Sequence, residues 1–528
     1  MAIELQADAG APGTPLKHFW SECVGAGRAN EGLRADWQAQ LRLAVKECGF
    51  KYIRFHGLFH DDMFVYREEN GRGIYNFQYV DILFDQLLAT GIKPFVEFGF
   101  CPKDLASETG TVFWWQGNGA PPKDLARWGE LIRRTVQNWV ARYGLDEVRT
   151  WYFEVWNEPN LHPFFRGTRS QYFELYQTTA RALKEIDPQL RVGGPATSNF
   201  VPDGRFDGET ENAAGQKIVT AARDINELDW QPVWVKPFLA FCQRENLPVD
   251  FVSCHPYPTD WALDEHTPGG FKKSTRAVGA TPHDLKLIRQ VVAASPFPQA
   301  QIHCTEWNSS SSPRDFTHDF LQAATYVTKT NLEGIGNVDS LSYWTFTDVF
   351  EESGCGDTVF HGGFGLINLQ GIVKPTFHAY RFMNALGDER LGKFPGGIVT
   401  RDSKTRKLSA LAYHYPAEMP QTVPASFDSR AQAYATLALG QPEPLHVEFT
   451  GLKPGAKVQV ETLDRQNGNA LAAWEELGQP DHLSRAQTER LREQAAATKR
   501  ESFATDGNGI FKWQRRLEPW SVVLIKEL

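Results

Sequence analysis

The sequence predicts an α/β fold: a (β/α)8 TIM barrel with an accessory C-terminal β-sandwich domain. Up to about residue 386, eight short apolar segments that resemble strands alternate with eight segments of helical periodicity. Beyond that residue, short strand-like segments follow one another, separated by Pro, Gly and Asp. We therefore expect the barrel at residues 16–386 and the sandwich at residues 387–528, with residues 1–15 as a candidate to pack against the sandwich.

The barrel prediction depends on the order of its elements. The strands are expected at residues 19–25, 52–56, 94–99, 150–156, 191–195, 250–255, 301–306 and 340–346. The helices that follow them are expected at residues 34–48, 77–90, 125–143, 172–186, 233–246, 282–294, 316–330 and 376–386. Strands that are buried on both faces read as continuous apolar runs, and their alternation with helices indicates a parallel sheet. Eight such units close most simply into a barrel.

An open, doubly wound sheet is the alternative to the barrel. A Gly-rich phosphate-binding loop after the first strand would favour it, but ECVGAGRANEG at residues 22–32 matches such a loop poorly. In the C-terminal region, strands are expected at residues 407–415, 433–439, 446–450, 457–463 and 521–527. One highly charged helix is expected at residues 485–499, with its charges on a solvated face.

Composition and charge argue against several classes of partner and cofactor. The net charge of -9 and the pI near 5.9 speak against nucleic acid or an anionic membrane as the main partner. The seven cysteines form no CxxC pair, and no His or acid group shows metal-ligand spacing, so we expect neither a metal nor another cofactor. The segment MAIELQADAGAPG lacks the features of a signal peptide, and no apolar run could cross a bilayer, so a cytoplasmic location is expected.

Two glutamates lie beside tryptophans at the ends of the predicted strands four and seven. Glu158 belongs to WYFEVWNEPN at residues 151–160, where the strand alternation breaks, and Glu306 belongs to CTEWNSS at residues 304–310. The C-terminal ends of barrel strands meet at one mouth, where barrel enzymes hold their reacting groups. Two carboxyl groups there suit cleavage of a glycosidic bond: one protonates the leaving oxygen, and the other attacks the anomeric carbon or activates water. A separation of about 5–5.5 Å gives retention of configuration, and a wider one gives inversion.

These two segments resemble the signature segments of glycoside hydrolase family 39, which contains β-xylosidases and α-L-iduronidases. Further stretches that resemble this family are YIRFHGLFHDDM (52–63), GIKPFVEFGFCP (91–102), DFVSCHPYP (250–258), YWTFTDVFEE (343–352), FHGGFGL (360–366) and GNALAAWEELGQP (468–480). The resemblance spans the barrel and extends into the β region. It implies a barrel with a β-sandwich and hydrolysis by double displacement with retention.

The resemblance also implies roles for individual residues. Glu158 resembles the acid/base of the family, and Glu306 resembles the nucleophile. Asn157 resembles the asparagine that binds the sugar 2-hydroxyl. Trp344 resembles the aromatic floor of the subsite for the cleaved sugar, and the wider clan implies a cis peptide bond after it. The positions that resemble the other lining residues of this subsite are His56, His255, Tyr257 and Glu351.

Several polar residues of the strands have a structural interpretation. The two histidines could be core residues with satisfied hydrogen bonds, as a lone histidine usually is. Glu154 lies two residues before the strand breaks, and we expect it to be structural, paired with Arg54 or Arg149. Glu97 is expected to be structural as well.

The leading functional hypothesis is a retaining exo-glycosidase that releases β-linked xylose from xylo-oligosaccharides. An α-L-iduronidase is the alternative within the same chemistry, although the carboxylate of a uronic acid would need an Arg or Lys. A non-catalytic sugar-binding barrel is an alternative of another class. It predicts the loss of one carboxylate, whereas Glu158 and Glu306 are both present. A homo-oligomer stays open, because the family contains monomers and tetramers.

Overall fold

Eight parallel strands form a closed barrel in the computed structural model, which describes residues 2–201, 208–210, 229–260, 274–276, 278–419 and 429–528. Each strand pairs with the next one along the chain, and the eighth pairs with the first. The strands are Cys23–Arg28, Tyr52–His56, Lys93–Phe98, Tyr152–Val155, Arg191–Ser198, Phe251–His255, Gln301–Trp307 and Ser340–Tyr343. The predicted barrel is confirmed. Its first strand begins later than expected, because Phe19–Ser21 forms a 3-10 helix instead.

One long helix follows each barrel strand. These helices are Ala35–Cys48, Gln78–Thr90, Leu125–Tyr143, Arg169–Ile186, Val235–Arg244, Ala280–Ala293, Leu321–Gly334 and Pro375–Asn384. The third helix shows why such segments are helical. Asp124 caps it by accepting hydrogen bonds from the backbone N–H groups of Ala126 and Arg127, and a stripe of Leu, Ile, Val and Trp side chains at helical spacing is buried. Gly144, with a φ of 85°, ends it.

Two further sheets stack on each other. The larger is antiparallel, with the strand order Thr14–Pro15, Glu389–Phe394, Gly397–Arg401, Leu408–Tyr413, Val522–Glu527, Lys457–Leu463 and Lys499–Ala504. The smaller has the order Ile3–Asp8, Glu443–Thr450 and Phe511–Leu517, and its first two strands are parallel. Leu5 and Val447 of the smaller sheet share one apolar core with Val460 and Ile525 of the larger sheet. The opposite face of the larger sheet, which includes Leu524, packs against the barrel helix Leu321–Gly334.

The other elements of the described ranges lie outside the barrel strands, the eight barrel helices and the two stacked sheets. Two-stranded ribbons join Tyr66–Glu69 with Arg72–Tyr75, Thr111–Val112 with Gly117–Asn118, Phe200–Val201 with Gln231–Pro232, and Thr259–Asp260 with Ser274–Thr275. The 3-10 helices besides Phe19–Ser21 are Ala29–Leu33, Asp61–Met63 and Phe316–Asp319. The additional α-helices are Leu145–Val148, Arg430–Leu437, Leu471–Glu476 and Arg485–Ala496. Within the described ranges, no helix is both long and apolar enough to cross a membrane.

The segment at residues 433–439 was expected to be a strand, and this prediction is wrong. Arg430–Leu437 is an α-helix, and Ser429 caps it by accepting from the backbone N–H of Gln432. The Gln432 side chain accepts in turn from the backbone N–H of Ser429, which completes a capping box. These reciprocal bonds favour the helix over the β-structure on either side.

Candidate active site

Glu158 lies just beyond the fourth barrel strand, where the sequence pattern breaks. The strand ends at Val155, and Trp156 and Glu158 have positive φ values of 70° and 44°. Two residues in this sparsely populated region turn the chain sharply. The turn is held to the neighbouring strand, because the Glu158 backbone N–H donates to the carbonyl of Ala196 at 2.9 Å. The turn therefore presents the carboxyl group at the barrel mouth, where the Glu158 side chain is 8% exposed.

Glu158 and Glu306 approach each other closely across this mouth. One carboxyl oxygen of each and one ring nitrogen of His255 all lie within 4.8 Å of one another. Retaining glycosidases hold their carboxyl groups about 5–5.5 Å apart, whereas inverting enzymes need about 6.5–9.5 Å to accommodate a water molecule. The observed approach therefore corresponds to the retaining geometry.

Both oxygens of Glu306 accept hydrogen bonds from buried donors. Arg54 donates from Nη1 to Oε1 at 2.7 Å, and the Tyr257 hydroxyl donates to Oε2 at 3.0 Å. Two donors, one of them cationic, stabilise the ionised form of a carboxylate and restrict its rotation. This environment suits a nucleophile, which must be ionised and aimed at the reacting carbon.

Arg54 is fully buried and connects the acids of the site. In addition to its bond with Glu306, it pairs with Glu154 through Nε and with Glu97 through Nη2 at 2.9 Å. Nη2 also donates to Oδ1 of Asn157 at 2.8 Å. A rigid, planar guanidinium can hold several acceptors in fixed directions. Glu154 thus pairs with Arg54, one of the two partners expected from the sequence, and Glu97 pairs with Arg54 as well.

His255 lies behind the two glutamates and bridges Glu158 to Thr305. Its Nδ1 is 2.8 Å from Oε1 of Glu158, and its Nε2 is 3.1 Å from Oγ1 of Thr305. Burial lowers the pKa of His255 to about 4, against the opposing charge of Glu306. The ring is therefore neutral at pH 7.

His56 is held on the opposite side of the mouth by two acids. Its Nδ1 is 2.7 Å from Oε2 of Glu97, and its Nε2 is 3.5 Å from Oε1 of Glu352. Burial opposes the charged ring, but Glu97 and Glu352 outweigh burial and raise the pKa of His56 to about 10. Burial likewise raises the pKa of Glu352 to about 7, against the opposing effect of His56. The His56 ring is therefore an imidazolium at neutral pH.

Asn157 and Trp344 supply a polar and an apolar wall. The Nδ2 group of Asn157 is buried and has no hydrogen-bond partner among the described residues, so it can donate to a bound hydroxyl. The Trp344 indole lies with its ring 4.7 Å from the ring of His56. A Cβ atom at Gly25 would stand 2.4 Å from this indole, so only glycine fits beneath it. The peptide bond between Trp344 and Thr345 is cis, as expected from the resemblance.

These side chains surround a cavity of about 140 Å³. Its described lining consists of His56, Phe113, Asn157, Glu158, Leu161, Phe164, Ser198, Asn199, Tyr257, Glu306, Ser311, Trp344, Glu352 and Phe364. The structure thus gathers both proposed catalytic glutamates and four of the expected binding residues around one space. His255 is fully buried and contacts the cavity-lining Glu158 from behind, so it does not itself line the described cavity.

Glu351 was expected to line the subsite of the cleaved sugar, but it is not among the described residues that line the cavity. Its carboxylate pairs with Arg28 at 2.8 Å and with Arg34 at 3.3 Å. The following residue, Glu352, lines the cavity instead and faces His56. The loop after the eighth strand has no regular alternation, so the sequence does not indicate which of two adjacent glutamates points inward.

Glu158, His255 and Glu306 form the only cluster of possible metal ligands found in the described part of the chain. Their polar atoms already form hydrogen bonds: His255 bonds to Glu158, and Glu306 accepts from Arg54 and Tyr257. The permanent charge of Arg54 next to Glu306 also opposes a second cation. We therefore interpret the cluster as an acid pair and not as a metal centre.

A closed (β/α)8 barrel with two glutamates at this separation in its mouth defines a glycoside hydrolase. The sequence profile of "Glycosyl hydrolases family 39" matches residues 1–511. A β-xylosidase of Geobacillus stearothermophilus is 39% identical over 485 residues, which cover 90% of this chain and 86% of that protein. A β-xylosidase of Caldicellulosiruptor saccharolyticus is 35% identical over 514 residues, which cover 97% of this chain and 95% of that protein. The chain belongs to glycosyl hydrolase family 39.

A solved structure supports this assignment at the level of the fold. The crystal structure of a monomeric β-xylosidase from Caulobacter crescentus CB15 aligns with a TM-score of 0.83 and 34% identity. The alignment covers 99% of both chains, so it includes the two C-terminal sheets as well as the barrel.

Proposed function

We propose that the protein is an exo-acting β-xylosidase that cleaves terminal β-D-xylosyl residues from xylo-oligosaccharides with retention of configuration. The observation that carries this proposal is the approach of Glu158 and Glu306 to within 4.8 Å at the mouth of the barrel. The relatives named β-xylosidase, 35–39% identical over most of the chain, support the choice of sugar.

Glu306 and Glu158 divide the first step between them. Glu306 attacks the anomeric carbon and forms a covalent ester, while the bond from that carbon to the leaving oxygen breaks and Glu158 gives its proton to that oxygen. Arg54 and Tyr257 hold Glu306 in place for the attack. Asn157, oriented by Arg54, offers its Nδ2 group to the 2-hydroxyl, where a hydrogen bond strengthens in the transition state.

The second step reverses the proton transfer. Glu158, now ionised, takes a proton from a water molecule that enters the place of the leaving group. The oxygen of this water attacks the anomeric carbon, the ester bond to Glu306 breaks, and β-xylose is released. Two inversions at the same carbon give net retention.

The cavity favours a neutral pentose over a uronic acid. A volume of about 140 Å³ is well below the roughly 300–1,000 Å³ of pockets that hold drug-sized ligands, which suits a single sugar unit. Phe113, Phe364 and Trp344 supply flat apolar surfaces for the sugar ring. The described lining contains neither lysine nor arginine, the usual partners of a uronate carboxylate. The imidazolium of His56 is already matched by Glu97 and Glu352.

A panel of aryl glycosides tests the proposal. We expect turnover of 4-nitrophenyl β-D-xyloside, none of the α-L-iduronide, and β-xylose as the first product by NMR. Xylotriose should lose one terminal xylose at a time. Hydrolysis of the iduronide alone would support the α-L-iduronidase alternative. Binding of xylose without turnover of any glycoside would support a non-catalytic sugar-binding barrel. Weak release from an α-L-arabinopyranoside is compatible with the proposal, since this sugar differs from xylose only at C4.

A further inference from the structure

Hydrogen bonds connect Glu158 through His255 and Thr305 to Glu154. The number of hydrogens that these groups carry determines which of them donates in each bond. Thr305 lies between two partners, with its Oγ1 2.8 Å from Oε1 of Glu154 and 3.1 Å from Nε2 of His255. Glu154 is fully buried in an ion pair with Arg54, and its Oε1 accepts the hydrogen bond from Thr305. The single hydroxyl hydrogen of Thr305 therefore points to Glu154. Oγ1 is left as an acceptor, and the bond to His255 must be donated by Nε2–H.

The direction of this bond determines the other end of the imidazole. A neutral histidine carries one N–H, and burial keeps His255 neutral. With the hydrogen on Nε2, Nδ1 carries only a lone pair, and it faces Oε1 of Glu158 at 2.8 Å. Two lone pairs at that distance repel each other, so the contact is a hydrogen bond only when Glu158 is the donor.

We propose that Thr305 and Glu154 are positioning residues that hold His255 in the Nε2–H tautomer, so that Nδ1 keeps Glu158 protonated in the resting enzyme. This proposal deepens the proposed function and rests on it. During the first step, the Glu158 O–H turns from Nδ1 to the leaving oxygen and gives up its proton. The resulting carboxylate then faces a lone pair, and this unfavourable contact drives it to recover a proton from the incoming water. The same tautomer thus serves both steps.

Other charged groups act on His255 as well. Glu306 lies nearest, with Oε2 3.6 Å from Nδ1, and its charge favours the imidazolium, as does that of Glu154. Arg54 and the His56 imidazolium oppose it. Tyr257 and Glu352 border the same space. Burial outweighs the sum of these charges, so the ring of His255 stays neutral. The hydrogen bond with Thr305 then determines that its single hydrogen lies on Nε2.

The test replaces the Thr305 hydroxyl and separates acid catalysis from general damage. In Thr305→Val, the side chain keeps its shape but cannot accept from Nε2–H, whereas Thr305→Ser keeps the acceptor. We expect kcat/KM for phenyl β-xyloside, whose leaving group needs a proton, to fall roughly 10- to 100-fold in Thr305→Val, a part of the 10²–10⁴ that general acid catalysis supplies. The value for 2,4-dinitrophenyl β-xyloside, whose leaving group needs none, should change less than about threefold.

The pH profile supplies a second readout. Because the relay favours protonated Glu158, its loss should move the alkaline limb of kcat/KM for the phenyl xyloside to lower pH. Thr305→Ser should show the wild-type value of kcat/KM and the wild-type position of the alkaline limb. Thr135→Val is the matched control, since Thr135 is also fully buried and its hydroxyl donates to the carbonyl of Leu131 within one helix. Its profile should equal that of the wild type.

Equal losses on both substrates, or no loss on either, would overturn the relay while leaving the proposed function intact. Absence of turnover by the wild type on every xyloside would instead overturn the proposed function. If Thr305→Val does not fold, ¹⁵N-histidine NMR of the wild type decides, with His255→Asn used to assign the signal among 14 histidines. The relay predicts a protonated Nε2 and an unprotonated Nδ1 for His255, and the reverse pattern would refute it.

Discussion

Nη1 of Arg54, on the second barrel strand, lies 2.7 Å from Oε1 of Glu306, the proposed nucleophile on the seventh strand. The same guanidinium orients Asn157, the residue proposed to bind the 2-hydroxyl. One side chain therefore aligns attack on the anomeric carbon with binding of the neighbouring hydroxyl.

Replacing Arg54 with lysine should preserve the charge but lose this alignment. The single ammonium group of lysine cannot hold Glu154, Glu306 and the Asn157 amide in fixed positions at the same time. We expect kcat/KM for a β-xyloside to fall at least roughly 100-fold and the free energy of unfolding to fall by about 1–3 kcal/mol. Arg133→Lys, at a surface pair with Glu185, is the control and should change stability by less than about 0.5 kcal/mol. A variant with more than a third of the wild-type rate would contradict the alignment role.

Replacing each glutamate separately should distinguish their roles. In Glu158→Ala, a dinitrophenyl xyloside should still form the ester with Glu306, which then accumulates because no base activates water. Added azide needs no base and should restore turnover, giving β-xylosyl azide. In Glu306→Ala no ester can form, and azide should attack from the vacated side to give the α-azide. NMR of the products checks the assignment, which is reversed if the two variants exchange their azide products.

Replacing Tyr257 with phenylalanine should weaken the support of Glu306 without changing the shape of the cavity. The variant loses one hydrogen bond to a charged group, made at 3.0 Å in the wild type. Such bonds contribute about 1.5–3 kcal/mol, so we expect kcat to fall roughly 10- to 150-fold. Tyr434→Phe removes an exposed tyrosine–carboxylate bond to Glu475 and should leave kcat unchanged, because neither residue is in the described lining of the cavity. An unaltered kcat in Tyr257→Phe would show that the Tyr257 hydroxyl does not support Glu306 during catalysis.

The buried imidazolium of His56 should make the stability depend on pH. Its pKa is about 10 in the folded protein, against the ordinary value of 6.5 expected in the unfolded chain. A raised pKa means that the folded state binds the proton more tightly, so the contribution is complete below pH 6.5 and is lost as the pH rises towards 10. Urea unfolding at pH 6.5 and 9.5 should therefore show a larger loss of stability in the wild type than in His56→Gln.

A control for this comparison is His446→Gln, at an exposed strand position beside Glu4. It should follow the wild-type dependence on pH. Identical slopes for the wild type and His56→Gln would show that His56 is not the group that titrates.

The barrel and the two glutamates are predictable from sequence because local signals specify them. Apolar runs that alternate with helical periodicity indicate the barrel, and the break after Trp156 indicates where Glu158 leaves its strand. The larger sheet was less predictable. Its strand Glu389–Phe394 contains Gly and three charged residues and therefore lacks a strand-like pattern, although Pro395 and Gly396 mark the tight turn of the hairpin that it forms with Gly397–Arg401.

Parts of the site depend on contacts between strands and therefore could not be predicted from local sequence. The sequence suggests Arg54 as a partner of Glu154, and its position two residues before His56 on one strand also places both side chains on the same face. That spacing was an available signal. Thr305 and Glu352 had none, because their importance comes from His255 and His56 on other strands.

The parallel pairing of Ile3–Asp8 with Glu443–Thr450 has a consequence for synthesis on the ribosome. Ile3 and Leu445 face each other across 442 positions of the chain. At about 5–20 residues per second, roughly 20 to 90 seconds of translation separate the appearance of the two strands. During this interval the strand that contains Ile3 and Leu5 has no edge to join, so its apolar side chains must stay in solvent or be sheltered by a chaperone.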